Sequence, residues 1–194
     1  MINRRKAVLI DKEEVFYIDQ IPVTIDAYQN CVRSGNCASA HYRNEYRKYA
    51  VNPIYGSLPV NFVTWHEARQ YCISAGGDLP TIAQWEAAAG DGIYSWGDTN
   101  PSPAKANIDG WYQSHIPAGW LPKGASPYGV LDMTGNVREW VLDENEDGAK
   151  GLKGGSYQDA WSSVKSEKTY YHEPNSSGFN RGFRCVYPQF ADEK

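Results

Sequence analysis

From Gly90 to Gly151 the chain runs for roughly 60 residues dense in glycine, proline and tryptophan, a length at which a loop inside a compact domain is uncommon. Its backbone donors and acceptors are not absorbed by long ladders, so something else must order it. Helical bundles and coiled coils are excluded by this stretch and by a composition that includes 18 Gly and 11 Pro with 7 Trp and 14 Tyr. At 194 residues the chain has room for one ordinary core. No apolar run approaches the ~18 residues needed to span a bilayer. The formal charge is −4, from 23 acids and 19 bases, and no block of Lys or Arg occurs. That balance argues against nucleic-acid binding, which depends on neutralising phosphates.

Local signals are clear on either side of the first half's turns. Thr64-Trp65-His66-Glu67 and Thr81-Ile82-Ala83-Gln84 both read T-x-x-[EQ], the pattern in which hydroxyl and N3 side chain satisfy each other's orphan backbone donors. The first predicts a helix with Trp65, Ala68, Cys72 and Ala75 on one stripe, stopped by Gly76-Gly77; the second carries Trp85, Ala88 and Ala89 to Gly90. An earlier helix is predicted from Thr24 to Ser34, with Gly35 as its stop. Strands are predicted over Val15–Asp19, Leu152–Tyr157 and Phe183–Tyr187. Asp132 to Asp147 holds six acids and one Arg, which suits either a solvated face or a cation site.

Cysteines stand at 31, 37, 72 and 185 with no C-x-x-C and no histidines at metal-ligand intervals, so a structural zinc site is not expected. Disulfides and buried thiols both remain open. Paired cysteines would place the chain outside the cytoplasm or at the cell surface, and free thiols would place it in the cytoplasm. Met1–Ile10 leads into Asp11-Lys12-Glu13-Glu14 with no apolar core, so no signal peptide is read in this chain. His41, His66, His115 and His172 lie far apart and are read as surface or satisfied histidines. No G-x-S-x-G, P-loop or dinucleotide-binding glycine motif is present. Trp65, Trp85, Trp96 and Trp140 are expected in the core.

The order of segments resembles the formylglycine-generating-enzyme, or sulfatase-modifying-factor, family. The matching pieces are Phe16-Tyr17-Ile18-Asp19 with Val23-Thr24; Pro59-Val60-Asn61 with Trp65 and Tyr71-Cys72; Leu79-Pro80-Thr81 with Trp85; and Trp96-Gly97-Asp98. They continue through Ala106-Asn107-Ile108, Tyr128-Gly129-Val130-Leu131-Asp132-Met133, Gly135-Asn136-Val137-Arg138-Glu139-Trp140, Gly154-Gly155-Ser156-Tyr157 and Gly182-Phe183-Arg184-Cys185. The resemblance implies an α+β, C-type-lectin-like fold with few helices and short antiparallel strands. It covers one domain over residues 15–190. The family's opening segment with its Met-Gly pair is absent or abbreviated before Phe16, so residues 1–14 are read as an N-terminal extension or truncated edge.

Enzymes of this family oxidise a sulfatase cysteine to formylglycine with copper and oxygen, using two cysteines shortly after Gly-Gly-Ser. Here the matching positions are Asp159 and Val164. Neither offers a thiolate for soft-metal ligation or redox exchange, so no copper and no catalytic residue of that reaction are expected. The resemblance also implies a bridge between Cys72 and Cys185, while the helix end and turn between Cys31 and Cys37 would bring that pair together across Gly35. It further implies structural calcium held at Asp132, Gly135, Val137 and Glu139, an oxygen-only set of the kind Ca²⁺ selects. A simple turn-capping role for Glu139 is the alternative. A second set would use Asn107 with the carbonyls of Ile108, Gly119 and Leu121, and should be weaker or empty because position 119 lacks the family's common Asp.

Residues 156–181 differ in composition: 14 of the 26 are Ser, Tyr, Asn, Trp, Phe or His. Such residues give contact area and adaptable hydrogen bonds at low entropic cost, as in antibody paratopes. The family places its ligand-facing loop here, and the variable proteins of bacterial diversity-generating retroelements place their hypervariable region here. An ordinary polar surface loop fits the composition equally well. Tyr157, Asp159, Trp161, Tyr170, Tyr171, His172, Asn175, Phe179 and Asn180 form the candidate contact surface for a protein or small-molecule ligand. Three classes follow: a noncatalytic binding module, an enzyme of the same family with a different metal-dependent oxidative chemistry, and a sensor or structural domain of a larger bacterial protein.

Overall fold

The computed structural model describes residues 6–42 and 47–188. Residues 1–5 of the expected N-terminal extension and 189–190 at the expected domain end lie outside that range. Helix α1 is Ile25–Arg33, opened by Thr24, whose hydroxyl accepts from the Ala27 N–H, and followed by Gly35 at φ +77°. A short α2, Arg47–Val51, comes next. Helices α3, Trp65–Ser74, and α4, Ile82–Ala89, each begin with a complete capping box. In α3 the Thr64 hydroxyl accepts from the Glu67 N–H and the Glu67 carboxylate accepts from the Thr64 N–H at 2.8 Å. α4 ends at Gly90, whose φ of +90° is open to glycine at little cost.

Two small sheets frame the core. The first has the order β1-β2-β7, with β1 Ala7–Asp11, β2 Val15–Asp19 and β7 Val186–Pro188, all antiparallel. The second has the order β5-β4-β3-β6, with β3 Arg138–Glu144, β4 Lys150–Lys153, β5 Tyr170–His172 and β6 Arg181–Gly182. β3 and β6 run parallel, and the other pairs of this sheet are antiparallel.

Two strand expectations shift. The run expected over Leu152–Tyr157 stops at Lys153, because Gly154 and Gly155 both turn left-handed, at φ +82° and +71°. The run expected over Phe183–Tyr187 is strand only at Val186–Tyr187, the start of β7, because Phe183–Cys185 form the crossing that follows β6. There Phe183 and Cys185 bond sideways to Val23 and Asp19, so the chain passes from one sheet to the other. β1, β3, β5, β6 and α2 have no counterpart among the expected elements.

Tyr28, Trp65, Tyr71, Trp140 and Phe183 pack the larger core, with Tyr28 stacked on Tyr71 at 5.6 Å. Trp85 anchors a second cluster with Ile18, Val130 and Met133. Trp96 differs from the other three expected core tryptophans: it is only half-buried, stacked on Tyr94 at 5.1 Å. Both disulfides are formed, Cys31 to Cys37 and Cys72 to Cys185.

The glycine-rich stretch is ordered largely by side chains bonding to backbone. Asn136 is buried at φ +65°; its amide accepts from the Ile116 N–H at 3.2 Å and donates to the Ile116 carbonyl at 3.1 Å. The Ser95 hydroxyl donates to the Gly124 carbonyl at 3.0 Å. Deeper down, Glu139 and Arg184 form a fully buried ion pair, Nε to Oε2 at 2.7 Å and Nη2 to Oε1 at 2.7 Å. Trp85 Nε1 also donates to Glu139 Oε2, and Arg184 donates to the Leu131 and Asp19 carbonyls. The pair thereby ties β3 and the C-terminal crossing to α4 and to the chain beside β2. Among the described residues no helix is long and apolar enough to cross a membrane.

Candidate functional site

The segment from Ser156 to Arg181 leaves β4 through the Gly154-Gly155 turn and returns in β6, so both ends are fixed by one sheet. Its nominated residues fall into separate groups. Tyr157 and Phe179 line a recess of about 50 Å³ together with His115, Asn61 and Tyr49. The Tyr157 ring meets His115 edge-on at 4.8 Å and Phe179 at 6.4 Å. Trp161, Tyr171 and Asn175 are exposed. Asn180 contributes its carbonyl to the Arg138 N–H at 2.9 Å. A larger open cleft of about 610 Å³, between the β1–β2 turn and α4, shares only residues 165–167 with the segment.

Asp159 and Tyr170 turn inward. Asp159 makes a bidentate ion pair with Arg138, at 2.6 and 2.9 Å, and accepts from the Ser156 N–H and hydroxyl. Burial pushes the Asp159 carboxyl up, but donation by Arg138 and Ser156 outweighs it and holds the group below the usual carboxylate range. Tyr170 donates to the Ser163 carbonyl at 2.8 Å and its ring lies 4.2 Å from the Arg138 guanidinium carbon. Val164 is buried against Gly155, where a Cβ would come within 2.3 Å of a Val164 methyl. The two positions that carry cysteines in the oxidase pattern thus hold an ion pair and a packed aliphatic side chain.

His115 enters the site without having been nominated. Its Nε2 is buried with no hydrogen-bond partner. Burial drives its pKa down to about 4, against the opposing effect of the Phe179 backbone. Asn61 donates to the Phe179 carbonyl at 2.8 Å and leaves its Oδ1 unpartnered. The recess therefore presents two buried unpartnered polar atoms, the Asn61 Oδ1 acceptor and His115 Nε2, beside two aromatic rings, a combination suited to a ligand group that can donate to Asn61. Nothing in the sequence near His115 marks it; only the folding of residues 114–115 onto 179 does.

The cation sets differ in what they leave free. Glu139 has both oxygens occupied by Arg184 and Trp85, so its charge is matched inside the protein. Asp132 Oδ2 accepts from the Gly119 N–H at 2.8 Å and weakly from Asn136, and burial raises its carboxyl pKa. Asn107 is different. Its Nδ2 donates to the Ser114 carbonyl at 2.8 Å and to Asn136 Oδ1 at 3.2 Å, which fixes the amide orientation and leaves Oδ1 buried with no donor. A buried oxygen without a donor fits a hard cation. Among the described residues no three His, Cys, Asp or Glu side chains gather as a metal cluster.

Two small sheets around a loop-rich middle, with a long segment held between strands of one sheet, define an α+β domain of the C-type-lectin-like, formylglycine-generating-enzyme type. The chain belongs to that family: residues 8–188 match the sulfatase-modifying factor enzyme 1-like domain. It is 41% identical over 98 residues to hercynine oxygenase of Mycolicibacterium smegmatis, covering 47% of this chain and 23% of that protein. It is 31% identical over 154 residues to the inactive C-alpha-formylglycine-generating enzyme 2 of Bos taurus, covering 66% and 50%. The matches thus span from about a quarter to half the length of these relatives. Among solved structures it is similar to CarF, with a TM-score of 0.77 and 20% identity over 96% of this chain and 99% of that one. It is also similar to Treponema denticola variable protein 1, with a TM-score of 0.69 and 18% identity over 96% and 93%.

Proposed function

We propose that this chain is a noncatalytic binding module that recognises a protein or small-molecule ligand through residues 156–181, a segment diversified by a retroelement. The observation that carries the reading is the internal commitment of Asp159 and Val164, which leaves no sulfur at the oxidase positions, beside a recess and exposed aromatics on the same segment. Loops on a fixed scaffold are where recognition is built. Two measurements test it. Co-expression with a sulfatase, followed by mass spectrometry of the sulfatase's active-site cysteine, should find that cysteine unconverted; formylglycine above the empty-vector level would overturn the reading. Related genomic copies should differ mainly between 156 and 181, and copies that vary evenly along the chain would remove the diversification claim.

A second reading, an enzyme with metal-dependent oxidative chemistry, is favoured by the 41% identity to a protein named hercynine oxygenase. One equivalent of iron or copper retained through purification would select it. In either case we infer that calcium is held by Asn107 Oδ1 with the carbonyls of Ile108, Gly119 and Leu121, supported by the unpartnered Asn107 oxygen. The Asp132 set, with Gly135, Val137 and Glu139, ranks second because Arg184 already matches Glu139. A chelator should lower the melting temperature, with recovery on adding calcium but not magnesium. No shift would count against both sets.

A further inference from the structure

On parallel β3 and β6, Arg138 and Arg181 are Cα partners, and like charges directly opposite repel. Arg138 is matched by Asp159. Arg181 is not: among the described residues no carboxylate lies within ion-pair distance of it. Its Nη1 donates to the Ser176 hydroxyl at 2.7 Å, and that hydroxyl donates onward to the Glu173 carbonyl, so Ser176 holds the guanidinium in place. Nε is buried with no acceptor. The Trp140 ring lies 5.9 Å from the guanidinium carbon. Burial, then Arg138, holds the Arg181 guanidinium below its ordinary pKa, and burial, then the same two arginines, holds His172 below its own.

A half-buried cation without a counter-ion is unfavourable unless something brings the opposite charge. Guanidinium groups take carboxylates and other oxyanions in a two-point fork. The edge that would do so, Nε with Nη2, lies against Gly178, where a Cβ would sit 3.4 Å from both nitrogens. We infer that Arg181, oriented by Ser176 and flanked by His172, is an oxyanion subsite that receives a carboxylate or sulfate group of the ligand. This rests on the reading of 156–181 as the binding segment and names the chemistry it selects.

The test is an NMR titration of the purified chain, following the arginine Nε–Hε and histidine signals. Sodium acetate or sodium sulfate is exchanged for sodium chloride at constant ionic strength. Saturating shifts are expected at Arg181 and His172, with affinity at least tenfold weaker in Arg181→Gln and in Gly178→Leu. Saturation by acetate alone assigns a carboxylate, and by sulfate alone a sulfo or phospho group. Without added anion, Arg181→Gln should melt no lower than the parent, since it removes a cation that has no carboxylate partner among the described residues. Shifts that are linear in concentration, or unchanged in Arg181→Gln, overturn the subsite, as does a large drop in that variant's melting temperature. Small anions alone are used, so a flat titration removes the subsite and spares the binding-module reading; a converted sulfatase cysteine does the reverse.

Discussion

The two disulfides close loops of very different length, and this makes them each other's control. Cys72 and Cys185 are separated by 113 residues in sequence and both are fully buried, whereas Cys31 and Cys37 are separated by 6 and are half-buried. In the chain-entropy model a bridge stabilises by restricting the unfolded chain, at about 5 kcal/mol for the long loop and about 2 kcal/mol for the short one. The perturbation is Cys72→Ala with Cys185→Ala, set against Cys31→Ala with Cys37→Ala. For a chain of this size each kcal/mol moves the melting temperature by about 2–4 °C, so the losses should be about 15 °C and about 6 °C. Scanning calorimetry at fixed pH and calcium measures both. A second readout is order of reduction: under mild reductant, alkylation mapped by mass should label Cys31 and Cys37 first, because the other pair is sealed in the core. Equal losses in the two double variants, or earlier labelling of Cys72 and Cys185, would refute the reasoning from loop length and burial.

Arg184→Met should cost about 3–5 kcal/mol in urea unfolding, since it strands the buried Glu139 carboxylate with Trp85 alone; a loss under 1 kcal/mol would mean that the pair is solvated. His115 has a folded pKa of about 4, below its unfolded value near 6.5, so its contribution is fully present above pH 6.5 and is lost as pH falls toward 4. The loss amounts to about 3 kcal/mol, and His115→Gln should flatten that limb of the stability curve; an unchanged limb would contradict the burial of its imidazole. Gly155→Ala forces a Cβ into Val164 at a positive φ and should destabilise by about 2 kcal/mol, part of which Val164→Ala should restore; no restoration would place the strain elsewhere.

Much of the scaffold was legible because its signals are local. The T-x-x-[EQ] pairs at 64–67 and 81–84 specify helix starts through bonds made within four residues, and they appear as read. Glycines at 35 and 90 mark stops for the same reason, since only the backbone conformation at that residue is involved. Strands were harder. β3 was hidden inside a stretch that composition presents as loop, and its pairing with β6 joins residues more than forty apart. The segment 156–181 was visible by composition and position, but composition does not say which way a side chain turns. Asp159 and Tyr170 face inward onto Arg138, while Trp161 and Tyr171 face out.

By itself, then, the sequence determined the boundaries of α1, α3 and α4, the family pattern and the absence of sulfur at positions 159 and 164. These are properties of residues and their near neighbours. Only the tertiary structure decided that Arg181 stands opposite Arg138 with no acid beside it among the described residues, that His115 and Asn61 bring unpartnered atoms to one recess, and that Arg184 occupies Glu139 while Asn107 keeps an oxygen free. Charge balance and hydrogen-bond satisfaction depend on distances of a few ångströms between residues far apart in the chain. Those distances are set by the packing of two sheets and the crossing between them.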